Sequence, residues 1–187
     1  LDWLHPKGDA KKDDAPIIVF LCGITGTTHE ASYLLHSADE AHRRGWRCVV
    51  HNCRGLGGVP LLTPKTYTAN YSDDIRDVIA LVNKRYPNAK KWGCGFSLGG
   101  MILYNYLSKC SSASETGLTA AMIVSSPWNS LISTATIETT FNRLLFNINI
   151  ARSLVALVKP YKHLFKGYDV DWEALDNVTC IRDFDIA

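Results

Sequence analysis

Several features are scarce in this chain of 187 residues, and each scarcity removes a class of protein. Net charge is nearly absent: 20 Lys+Arg against 18 Asp+Glu leave +2, too little for an electrostatic footprint on nucleic acid. Long apolar runs are absent too. The longest, Ile17 to Cys22, falls far short of the roughly 20 residues that a membrane helix needs. No signal peptide is visible, because Asp, His, Lys and Pro stand among residues 1–16 where an apolar run would be required. Cysteine is sparse. The six (Cys22, Cys48, Cys53, Cys94, Cys110, Cys180) include no CxxC pair and no His/Cys cluster, which argues against structural zinc and for a reducing compartment. Two Asn-x-Ser/Thr triplets, at Asn70 and Asn177, matter only in a secreted protein.

What is present suits one globular domain: 47% of residues are apolar and 20% charged. Apolar runs at 17–22, 46–51, 91–96 and 119–124 read as strands, with a further strand at Leu1–Leu4. Helical spacing falls between them. Leu34, Leu35, Ala38 and Ala41 are expected on one face of a helix that ends at Gly45, a left-handed cap. Ser72, Asp73 and Asp74 should start a second helix, with Ile75, Val78, Ile79 and Val82 inward and Pro87 as its stop. Residues 98–107 should form a third. This alternation predicts an α/β fold, a doubly wound and mostly parallel sheet. After Pro127 the rhythm changes. Leu144, Leu145, Ile148, Ala151, Val155 and Val158 make a helical stripe within 137–165, expected as a helical lid insert able to receive an acyl chain or rest on lipid. The chain is thus expected to be a single domain over 1–187, with a sheet-and-helix core at 16–126 and a helical lid region at 127–187.

Gly95-Phe96-Ser97-Leu98-Gly99 lies between an apolar strand and an apolar helix. A serine nucleophile must project from a sharp turn, where side chains two residues before and two after would strike neighbouring backbone; Gly95 and Gly99 remove those collisions. The helix beginning after Ser97 aims its first amides at the reacting carbonyl, so the Leu98 amide can stabilise an oxyanion. A second donor is expected from the glycine loop after an earlier strand, at the Ile24 amide of Gly23-Ile24-Thr25-Gly26. A dinucleotide loop is a poorer reading, because Leu98 stands where the third glycine belongs. A phosphate loop is poorer too, since no Lys-Ser/Thr pair follows the glycines of 23–26.

A serine nucleophile also needs a histidine base and an acid, and where the serine stands on a G-x-S-x-G elbow they follow it in the order Ser, acid, His. After Ser97 there is one histidine, His163, and the carboxylates Asp169, Asp171, Asp176, Asp183 and Asp185 all follow it. Glu138 precedes it, within the insert. His51 closes a strand but reads as a strand-end histidine. The acid and the base are therefore expected beyond the C-terminus, the fold is expected to be incomplete at both ends, and residues 1–187 alone are expected to turn over little and to aggregate through an unpaired sheet edge.

With these residues in place, the chain resembles the α/β-hydrolase superfamily, in its ABHD lipase/esterase branch that includes the YheT-type esterases. The matching stretches are Cys22-Gly23-Ile24-Thr25-Gly26, Asn52–Gly55, Leu61–Tyr67, Gly95–Gly100, Leu144–Asn147 and Ile181–Asp185. They look closest to the animal members that act on medium-chain phospholipids. The resemblance implies a serine hydrolase of acyl esters such as phospholipids or acylglycerols, with Ser97 as nucleophile, Ile24 and Leu98 as oxyanion donors, and no cofactor or metal. It also implies membrane association through a segment absent here, on the intracellular side or at the endoplasmic reticulum; no nucleic-acid partner is expected, on the small net charge. A non-catalytic hydrolase-like binding module is the alternative.

Overall fold

The computed structural model describes residues 1–6 and 13–187. These divide into two compact units, Leu1–Cys53 with Tyr67–Ser126, and Arg54–Thr66 with Pro127–Ala187.

The first unit is built on a five-stranded sheet in the order β1-β3-β2-β4-β5. Strands β2 (Ile17–Leu21), β3 (Arg47–His51), β4 (Lys91–Phe96) and β5 (Ala120–Val124) are parallel, and β1 (Asp2–Leu4) joins β3 antiparallel. Parallel neighbours need long returns, supplied by α1 (Ser32–Arg43), α2 (Asp73–Arg85) and α3 (Leu98–Lys109). Register places Leu21 opposite both His51 and Gly95, and Phe96 opposite Val124. The carboxyl ends of the four parallel strands therefore lie in one row. The loop after β2 and the turn after β4 emerge side by side.

The strands expected from the apolar runs are all present, to within a residue at each end. In α2 the predicted stripe Ile75, Val78, Ile79 and Val82 is buried. Ser72 sits at its N-cap position, but its hydroxyl makes no cap bond; it accepts from the Lys109 ammonium at 2.8 Å. In α1, Leu34 and Ala38 are buried while Leu35 faces solvent, because one residue along a helix is about 100° around it. Gly45 takes φ 79, and the Trp46 amide folds back to the Ala41 carbonyl at 3.0 Å, the left-handed cap expected.

Among the described residues β5 pairs with β4 alone. Its Ala120, Ala121 and Met122 are exposed, and Met122 shares an open apolar trough of about 440 Å³ with Ile18, Phe20, Ala41 and Cys94.

The second unit is helical: α4 (Ser130–Ile137), a short α5 (Thr140–Asn142), a π turn at Arg143–Asn147, α6 (Ile148–Val158), a 3-10 segment at Lys159–Phe165, α7 (Trp172–Asp176) and α8 (Ile181–Ile186). Its core is Ala151, Val155, Leu175 and Val178. The predicted stripe holds from Ala151 to Val158 and fails before it: Leu144 and Leu145 are exposed. The π turn adds a residue to one turn and shifts the helical phase, so Asn147 faces inward instead. It is 1% exposed, accepts from the Ile181 amide at 2.7 Å and donates to the Ile137 carbonyl at 3.3 Å. Helix α8 is held at its start by Asp183, whose carboxylate accepts from the Thr179 amide, the Thr179 hydroxyl and the Cys180 amide.

Those bonds, the Thr179 amide first, hold the Asp183 carboxyl down at about 2 from its ordinary 3.8. Because folding lowers this pKa, the stabilisation is complete above 3.8 and is lost as pH falls through about 2. Amide protection of α8 against hydrogen exchange should decline over that window, and Asp183→Ala should lack it at every pH. Protection that is flat with pH would contradict this. At the sheet, residues 1–187 expressed alone should self-associate in gel filtration, and Met122→Lys should shift them toward monomer by placing a charge on the exposed edge. A monomeric wild-type chain would contradict it.

Candidate active site

Ser97 stands between the end of β4 and the first residue of α3. Its backbone, at φ 50 and ψ −117, costs an L-residue on the order of 1–3 kcal/mol. This is also the N-cap position, where a serine ordinarily turns its hydroxyl onto the first-turn amides. Here the hydroxyl makes no cap bond, so both the hydroxyl and those amides are left for other partners.

Two bonds hold the strained turn. The Ser97 amide donates to the Val124 carbonyl at 2.9 Å, and the Ser126 hydroxyl donates to the Ser97 carbonyl at 2.7 Å. Both tie the turn to the end of β5. Backbone strain recurs beside it. The non-glycine residues with positive φ among the described residues are Thr25, Ser97 and Ser125, which follow β2, β4 and β5 at the same end of the sheet. Such outliers persist only where surroundings over-determine them, and they cluster at functional sites.

The two flanking glycines work by close approach. A methyl group on Gly95 would lie 2.5 Å from the Gly99 carbonyl and 2.6 Å from Gly100 Cα. One on Gly99 would overlap the Cys22 carbonyl and sit 2.5 Å from that of Leu21. The first turn of α3 thus rests on the bare carboxyl end of β2, which places the Leu98 amide next to the loop leaving that strand.

That loop is a tight turn closed by the Gly26 amide on the Gly23 carbonyl at 3.0 Å. Thr25 occupies its third position at φ 58, where glycine or asparagine is usual. A methyl group on Gly23 would stand 3.4 Å from Ser97 Cβ and 3.4 Å from the Tyr33 hydroxyl. The Gly23 amide donates to the Tyr33 hydroxyl at 3.1 Å, and the Thr25 amide to the Tyr67 hydroxyl at 3.2 Å. The Ile24 amide between them makes no hydrogen bond among the described residues. Ser97, Leu98, Gly95 and Gly99 thus lie beside the turn that carries Ile24. Tyr33, Tyr67 and Ser126 were not foreseen.

Several of the histidines and carboxylates weighed for a triad have places and partners of their own among the described residues. His51 ends β3, separated from β4 by β2. His163 lies on the 3-10 segment of the second unit. Asp171 caps α7, Asp176 pairs with Lys159, Glu138 with Arg182, and Asp183 caps α8. Burial pushes the Cys22 and Cys94 thiols up to about 11 and that of Cys48 to about 12, away from the reactive thiolate.

A parallel sheet wound by helices, with this strand–serine–helix turn at its carboxyl end, is the fold of an α/β-hydrolase. The profile of the Hydrolase_4 family, described as serine aminopeptidase, S33, matches residues 16–173, and the chain belongs to that family. It is 49% identical over 185 residues to protein abhd-3.2 of Caenorhabditis elegans, covering 99% of this chain and 48% of that one. It is 39% identical over 188 residues to phospholipase ABHD3 of Mus musculus, covering 99% and 45%. The chain spans about half the length of these curated relatives. Among solved structures, the alpha/beta hydrolase GrgF of Penicillium sp. sh18 superposes with a TM-score of 0.51 at 14% identity, covering 82% of this chain and 46% of that one; it bears on the fold alone.

Gly99→Ala should destabilise the intact protein by about 1–3 kcal/mol, as overpacking does, read as a lowered Tm. An unchanged Tm would contradict the bare contact between α3 and β2.

Proposed function

We propose that these residues form the nucleophile and oxyanion half of a serine hydrolase that cleaves acyl esters of lipids, phospholipids or acylglycerols. The observation that carries the proposal is the strained Ser97, with an uncapping hydroxyl, facing a turn whose Ile24 amide has no partner among the described residues. The similarity to a phospholipase of Mus musculus supports the lipid ester class. Lipid substrates also fit association with a membrane, although among the described residues no helix is long and apolar enough to cross one.

The geometry suits acyl transfer. The Ser97 oxygen attacks the ester carbonyl carbon and gives its proton to a histidine. The carbonyl oxygen becomes an oxyanion that accepts hydrogen bonds from the Ile24 and Leu98 amides, reinforced by the positive N-terminal end of α3. Collapse expels the alcohol, which takes the proton back, and leaves an acyl-serine. Water then repeats the sequence and releases the fatty acid. The histidine and the acid that orients it are assigned outside residues 1–187 on chain order: Asp169, Asp171, Asp176, Asp183 and Asp185 all follow His163, where the order Ser, acid, His is required.

A fluorophosphonate should label the intact protein at Ser97, and fatty acid should be released from phospholipid vesicles. Ser97→Ala should abolish labelling and lower kcat/KM by about 10³-fold or more, as loss of a nucleophile does. Equal hydrolysis by wild type and Ser97→Ala would contradict the assignment. Neither labelling nor hydrolysis in wild type would favour a non-catalytic binding module.

A further inference from the structure

We infer that Tyr67 and Tyr33 are positioning residues that clamp the Gly23–Gly26 turn from both sides and leave the Ile24 amide as its one donor free to meet an oxyanion; this rests on the hydrolase reading above. The two bonds bracket Ile24. Tyr33 takes the amide before it and Tyr67 the amide after it. Neither tyrosine is a neighbour in sequence, lying 10 and 42 positions from its partner.

The Tyr33 ring and the segment after Tyr67 are themselves held. The Tyr33 ring packs on Phe96, the residue before Ser97, with centroids 4.7 Å apart, so one side chain touches the turn and the base of the serine elbow. The segment following Tyr67 is tied to α3: Asn105 donates to the Ala69 carbonyl at 2.8 Å, and Lys109 to the Asn70 carbonyl at 3.3 Å and the Ser72 hydroxyl. The helix that offers the Leu98 amide therefore also holds the strap that sets the Ile24 amide. The two donors are referenced to one element.

Chemistry requires acceptors of this kind. Thr25 is held at φ 58, a strain that relaxes by rotating the Ile24–Thr25 peptide unless its amide is engaged. A carboxylate would engage it more strongly but would set a negative charge beside a developing oxyanion. A phenol accepts while neutral. Burial pushes Tyr67 up to about 12 and raises Tyr33 as well, so both stay protonated throughout the neutral range.

The test uses the intact protein with Tyr67→Phe, Tyr33→Phe and the double variant, each assayed on an acyl ester and on the matching thionoester, in which sulfur replaces the carbonyl oxygen. Sulfur accepts amide hydrogen bonds poorly, so the oxo-to-thiono ratio of kcat reads the oxyanion contacts. Each single variant should lose kcat by about tenfold, less than the 10²–10³ of removing a donor outright, with KM nearly unchanged. The oxo-to-thiono ratio should shrink. Unchanged kcat, or a fall in kcat with an unchanged ratio, would overturn the clamp. Should one variant fail to fold, the other bond is tested independently. Wild type that is no faster than Ser97→Ala would instead overturn the hydrolase reading, and the clamp with it.

Discussion

Everything at the carboxyl end of this sheet depends on a contact between two stretches of bare backbone, the first turn of α3 lying directly on the last carbonyls of β2. Side chains usually stand between a helix and the sheet it covers. Here Gly99 lets the helix start touch the strand end, and Gly95 lets the strand turn into the helix without meeting Gly99 and Gly100. Because β2 and β4 are neighbours in register, that contact brings together the serine between β4 and α3 and the glycine turn after β2. Without it the start of α3 and the turn after β2 would be a side-chain layer apart.

The arrangement stores strain and surrounds it with bonds. Thr25, Ser97 and Ser125 all hold positive φ, at an expense on the order of 1–3 kcal/mol each. Against this stand the Ser97 amide on Val124, the Ser126 hydroxyl on Ser97, and the two tyrosine hydroxyls on the turn. A serine at an N-cap would normally relax into capping its own helix. Holding it out of that role keeps its hydroxyl available, which a nucleophile requires and a structural serine does not.

Sheet and serine were legible because their signals are local. Short apolar runs such as Ile17–Leu21 need no partner information to be recognised as strands, and Gly95-x-Ser97-x-Gly99 states its own geometry. Other features depend on contacts that no period encodes. Tyr67 reaches Thr25 across 42 positions, and Ser126 reaches back to Ser97 from the loop after β5; both look like ordinary loop residues in sequence. The apolar stripe of 137–165 was readable from Ala151 onward and misleading before it, because a π turn changes phase without changing composition. That Arg54–Thr66 groups with the helical unit rather than with the sheet likewise follows from no local pattern. Ser72 shows the limit of cap rules: it has the right type at the right position, and Lys109 takes its hydroxyl.

The most direct measurement is a crystal structure of the intact protein with a phosphonate bonded to Ser97, since its phosphoryl oxygen mimics the oxyanion. The account predicts that oxygen within about 2.7–3.1 Å of both the Ile24 and the Leu98 nitrogens. A phosphoryl oxygen turned to solvent, or bonded to neither amide, would contradict it.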